Sequence, residues 1–168
     1  FPYTTRFRSK ATLGMILCGE CLGDEPAVTQ GRWNLQQLRL LLARRGVISE
    51  HCSPTYSPLT LINLTAIAAH ARSPEARTLA SACAARVWAE LLAHYHPPTQ
   101  SVAGPYSRAY TTDSVGHTSA LNLLLWLVFG PEFMPDPTAE LCRAPPRLVV
   151  HHSGDVFFVL TCFAFVAA

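Results

Sequence analysis

The chain has 168 residues, 49% of them hydrophobic and only 14% charged, with a formal net charge of +2. That is globular composition at about one domain's length, and the absence of a basic stripe argues against nucleic acid as a partner. No apolar run reaches the ~20 residues of a membrane-spanning helix; Leu121–Phe129 and Val156–Ala168 come nearest and are too short.

Residues 1–9 (FPYTTRFRS) closely match FPYTTLFRS, the translation of a common sequencing-library adapter, with Arg6 in place of Leu. They are set aside as an artefact, as processing scars are, with a disordered natural terminus as the alternative. The natural chain is then expected to enter near Lys10 as a fragment of a longer gene. The low charge fits a surface covered by further chain or by a partner. A signal peptide upstream would make the full-length protein secreted or periplasmic.

Residues 11–22 (ATLGMILCGECL) are apolar on nearly every face and predict a buried helix. After Gly23-Asp24, residues 25–45 form a two-sided helix with Val28, Leu35, Leu38 and Leu42 on one stripe and Gly46 placed to end it. Residues 58–71 are again apolar all round, with Ser57 as a candidate N-cap and Pro58 at the first helical position. Ser73-Pro74-Glu75 starts the next helix, over 74–95, with Leu79, Cys83, Val87 and Leu91 in line. Glu75, Arg77, Arg86, Glu90 and His94 are expected to face water. Pro97-Pro98 stops it, and a third apolar helix follows at His117–Phe129.

A helix apolar on all sides is buried on all sides, whereas an amphipathic one covers a surface. The order is therefore buried, covering, buried, covering, buried. Connections from buried to covering helices are very short (Gly23-Asp24, Arg72-Ser73); the return connections, Gly46–Ser57 and His96–Gly116, are long. Residues 10–130 are thus expected to be mainly α, a partial (α/α) toroid of antiparallel helical hairpins, with a plain bundle or a solenoid as alternatives. Both long loops would then open at one mouth, where the buried helices also begin. Helix N-termini there would attract anions, by about 0.3–1 kcal/mol each. Residues 131–168 read as a proline-rich connector and the start of a truncated β-rich region, a hairpin around Ser153-Gly154-Asp155. A final helix at 156–168 competes with that reading.

The six cysteines are Cys18, Cys21, Cys52, Cys83, Cys142 and Cys162. Most sit among apolar neighbours, where free cysteine behaves as a small hydrophobe. Cys18-Gly-Glu-Cys21 has no second pair or well-spaced histidine behind it, so two buried positions one turn apart are expected there rather than a metal or redox motif. His94 and His96 flank a helix end and are expected to meet its carbonyls. No metal site and no cofactor are predicted.

The reactive side chains gather in two polar loops, Glu50–Tyr56 and Gly104–His117. Arg108 is suited to hold a carboxylate through parallel N–H bonds. Tyr110 and His117 can each give or take a proton, and Asp113 is placed to orient His117 or cap the next helix. Glu50 with Asp113 would supply the two carboxylates of inverting glycoside hydrolysis. His51, Ser53, Thr55, Tyr56 and Tyr106 are substrate-facing candidates. The structural alternative has Asp113 and Ser114 capping, His117 packing, Arg108 paired with an acid and the tyrosines filling space. Asn63-Leu64-Thr65 matches a glycosylation acceptor but falls in a helix expected to be buried.

The order of elements, with SPTY at 53–56 and AGPYSRAYTTD at 103–113, resembles proteins with the heparinase-like or alginate-lyase-like helical toroid. The likeness covers about Thr12 to Asp155 and implies a following β-sandwich region. It also implies handling of an acidic polysaccharide or oligosaccharide, by β-elimination on a uronate more than by hydrolysis. Carried onto this chain, it makes Tyr110 and His117 the base and acid, Arg108 the carboxylate holder, and Tyr56 and Tyr106 sugar-facing walls. Such toroids often carry Asn just before SPTY, where this chain has Cys52. A non-catalytic glycan binder or scaffold, or an inactive fragment, is the alternative.

Overall fold

Three of the five described helices begin at a residue whose side chain caps them. The structure, a computed structural model, describes residues 5–108 and 119–137. It is mainly α: α1 (Thr5–Leu22), α2 (Glu25–Arg45), α3 (Tyr56–His70), α4 (Pro74–Ala93) and α5 (Ala120–Phe129). Between α4 and α5 lie β1 (Tyr95–His96) and β2 (Ser101–Val102), an antiparallel pair around a 3-10 turn at Pro97–Thr99. Asp24 caps α2 by accepting from the Ala27 N–H at 3.0 Å. Gly46 closes α2 in the left-handed conformation, φ 75°, donating its N–H to Leu42 O. Arg86 of α4 donates to Gly46 O at 2.7 Å, so α4 holds the end of α2. Ser73 caps α4 and Ser119 caps α5, each through its hydroxyl.

α1 packs on α2 and α3 on α4 as hairpins, and the hairpins lie side by side with α1 against α3 and α2 against α4. α5 continues the first row by packing on α3. α3 is the centre of the core: from Tyr56 to Leu64 every residue is buried. Its neighbours contribute Leu35, Leu42, Val87, Leu91, Leu121, Leu123 and Leu125. Asn63 is wholly buried and donates to Ser9 Oγ at 3.3 Å, so no glycan is reachable at that acceptor pattern. No helix among the described residues is long and apolar enough to cross a membrane.

Several local expectations are corrected. α1 is one-sided: Ser9, Thr12, Ile16 and Gly19 are buried, while Leu22 is 81% exposed. Its apolar sequence misled because, among the described residues, α1 packs chiefly on two helices, α2 and α3. Cys18 and Cys21 are exposed free thiols for the same reason. α1 also extends back to Thr5, into the adapter-like residues. α3 begins at Tyr56, not Pro58: Ser53 Oγ accepts the Tyr56 N–H at 3.0 Å, and Ser57 is a buried helical residue rather than the cap. Glu90, expected at the surface, is buried. The small β1–β2 pair, at the start of the second long connection, adds to the expected elements. The connector beyond Pro137 and the β-rich segment lie outside the described residues, as do the helix alternative for 156–168, Cys142 and Cys162.

Candidate functional site

Both long connections lie at the same end of the helices, between the end of α2 and the start of α3 and between the end of α4 and the start of α5. They are laced together by backbone hydrogen bonds. Ser107 N–H donates to His51 O at 3.3 Å and Leu121 N–H to Pro54 O at 2.9 Å, while Ala103 N–H donates to His94 O at 2.6 Å within the second connection itself. This lacing brings Arg108 of the second loop onto Glu50 and Tyr56 of the first. Arg108 Nη1 lies 3.1 Å from Glu50 Oε1, and its guanidinium carbon stands 5.0 Å above the centre of the Tyr56 ring. The carboxylate contact is close but not aligned as a hydrogen bond, so Coulomb attraction dominates it. Cys52 and Arg108 both hold left-handed backbone conformations, φ 45° and 53°, which cost a non-glycine residue about 1–3 kcal/mol and persist only where surroundings enforce them.

The other predicted residues divide by burial. Ser53, Thr55 and Tyr56 are buried and serve the start of α3, out of reach of a surface ligand. Glu50 is 3% exposed and faces Arg108. His51 is half-buried. Tyr106 is half-buried with its hydroxyl donating to Val102 O at 2.5 Å. Arg108 keeps 40% of its side-chain surface. Tyr110, Asp113 and His117 lie outside the described residues. The helix N-termini do face this end, but protein atoms fill much of the expected anion site. Leu121 N–H is taken by Pro54 O, and Asn122 and Leu123 N–H by Ser119.

Residues 10–167 match the model of a domain of unknown function (DUF8769). The chain belongs to that family. No curated protein and no solved structure matches it. The DUF8769 match takes in both loops and all of α2 to α5, so the Glu50–Tyr56–Arg108 contact lies within the family's domain.

One functional candidate escaped sequence reading altogether. Glu90 projects from the last turn of α4 beneath the first loop and accepts from both the Cys52 N–H at 3.0 Å and the Cys52 thiol at 3.2 Å. Its signal was only an acid one turn before His94, indistinguishable from a solvated helix face. His94 does meet a helix carbonyl, with Nδ1 2.8 Å from Glu90 O.

Burial pushes the Cys52 thiol up to about 12, with the hydrogen bond and charge of Glu90 adding to it. Burial likewise pushes Cys83 up to about 11, against a smaller opposing effect of Arg39. Both folded values lie above the usual thiol value, so folding favours the neutral form. The resulting stability is complete below about pH 9 and is lost as pH rises toward 11–12. At pH 8 iodoacetamide is therefore expected to label Cys18 and Cys21 in the folded protein and to spare Cys52 and Cys83 until denaturant is added. Peptide mass mapping checks this; Cys52 labelled as fast as Cys18 would contradict its burial.

Proposed function

We propose that this chain is part of a carbohydrate-active toroid protein that takes an acidic polysaccharide at the loop-bearing end, with β-elimination favoured over hydrolysis. The observation that carries the reading is the meeting of the two loops at Arg108, a partly exposed guanidinium seated on Tyr56. A permanent cation with a planar set of donors suits a uronate carboxylate. Tyr110 and His117 remain the proposed base and acid, Asp113 the orienting acid, and His51 and Tyr106 the ligand-facing neighbours. The two rows of helices, α1–α3–α5 and α2–α4, are the layering that an arc of such a toroid would have. The chain's resemblance to heparinase-like and alginate-lyase-like proteins supplies the substrate class.

A second reading, non-catalytic glycan binding or a scaffold role, is favoured by one observation. Glu50, Ser53, Thr55 and Tyr56 turn inward and hold the loops rather than presenting chemistry to solvent.

The test is a comparison of uronate-containing and neutral polysaccharides, read by the ultraviolet absorbance of the unsaturated product and by new reducing ends. Arg108→Ala is expected to weaken processing of the acidic substrate about 10- to 100-fold, as loss of a charge-assisted contact does, with little effect on neutral glycans. Equal loss on both would remove the carboxylate role. Binding without either product would select the second reading.

A further inference from the structure

We propose that Cys52, Glu90 and His94 form a binding site for one zinc-class divalent cation, tying the first loop to the end of α4. Their ligand atoms, one from each residue, all lie within 4.8 Å of one another. Donors around tetrahedral zinc sit about 3.3–3.8 Å apart, given metal–ligand distances of about 2.0–2.3 Å. Cys52 Sγ and Glu90 Oε1 are already 3.2 Å apart, so closing the set needs about 1 Å of side-chain movement.

The independent sign of a missing ligand is Glu90 Oε2. Glu90 is only 4% exposed, yet this oxygen has no hydrogen-bond partner among the described residues. A buried carboxylate oxygen without a donor is costly and calls for an explanation; a cation supplies one. The His94 ring is ordered by its Nδ1 contact with Glu90 O, the kind of backbone contact that orients metal-ligating histidines. A thiolate and an imidazole beside one carboxylate favour Zn²⁺ over Mg²⁺ or Ca²⁺, which prefer all-oxygen sets. Three protein ligands leave a fourth position for water, reached from the half-buried His94 side.

Binding is a simple exchange. The Cys52 S–H bond breaks, the thiolate pair goes to the metal, and one proton leaves to solvent for each cation taken up. None of the three ligands takes part in the Glu50–Tyr56–Arg108 contact, so the proposal stands whether or not a glycan binds there.

The experiment uses the tag-free full chain with Cys18→Ser and Cys21→Ser, which removes the exposed thiols among the described residues as competitors. It is titrated with Zn²⁺ by calorimetry in two buffers of different ionisation heat, and with Co²⁺ by absorbance. One equivalent is expected, with about one proton released and a thiolate-to-cobalt charge-transfer band in the near ultraviolet. Cys52→Ser should abolish that band. His94→Ala, at a half-buried position that leaves the core intact, should weaken Zn²⁺ at least ten-fold; circular dichroism confirms its fold. No binding, or binding unchanged in both variants, would overturn the proposal.

Discussion

Replacing Tyr56 by alanine is expected to lower folding stability by about 3–5 kcal/mol, the range for removing a buried aromatic side chain. Tyr56 is 1% exposed at the first turn of α3, the central helix. Its ring is also the platform on which Arg108 rests, and that cation–π contact adds about 0.5–1 kcal/mol. The loss therefore falls on the core and on the seam between the loops together. Urea unfolding followed by circular dichroism measures it, and Tyr56→Phe, which keeps the ring, should retain most of the stability. A loss below about 1 kcal/mol for the alanine variant would mean that the ring is not packed as described.

Arg108→Ala is the second large effect, at about 2 kcal/mol of stability. Removing one partner of a fully buried ion pair costs about 3–5 kcal/mol because the other charge stays buried. Here Glu50 is buried but the Arg108 side chain keeps 40% exposure, so water screens part of the attraction and the figure is lower. The asymmetry gives a sharper check. Glu50→Gln keeps the shape and removes the charge, so it should cost less than Arg108→Ala, and in the Arg108→Ala background it should restore stability. A double-mutant cycle reads the coupling; additive losses would show that the two charges do not interact. The glycan comparison on Arg108→Ala belongs well below that variant's unfolding temperature.

Much of the helical plan was written locally. Asp24 and Gly46 bound α2, and Ser73-Pro74 starts α4, because caps act within three or four residues and leave a compositional mark. The all-apolar α3 is buried along almost its whole length. α1 departs from that pattern: its apolar faces outnumber its neighbours among the described residues, and Cys18 and Cys21 are exposed. Apolarity says that a face can be buried, not that another element is present to bury it.

For the site, residue types pointed to the loops, and the contact of Arg108 with Glu50 and Tyr56 lies where those loops meet. What each side chain does there was not legible. Ser53 reads as a ligand contact but caps Tyr56, and Glu90 reads as solvated but lies under Cys52. Tyr110, Asp113 and His117 lie outside the described residues.

By itself the sequence determined the mainly helical class, the alternation of short and long connections and the capped boundaries of α2 and α4, since periodicity and capping are short-range. Only the tertiary structure decided which acids are buried, which cysteines are exposed and which polar residues meet. Cys52 and Glu90 stand 38 positions apart and join only because the first loop folds over the last turn of α4. Contacts of that kind depend on how helices pack, and no local pattern records them.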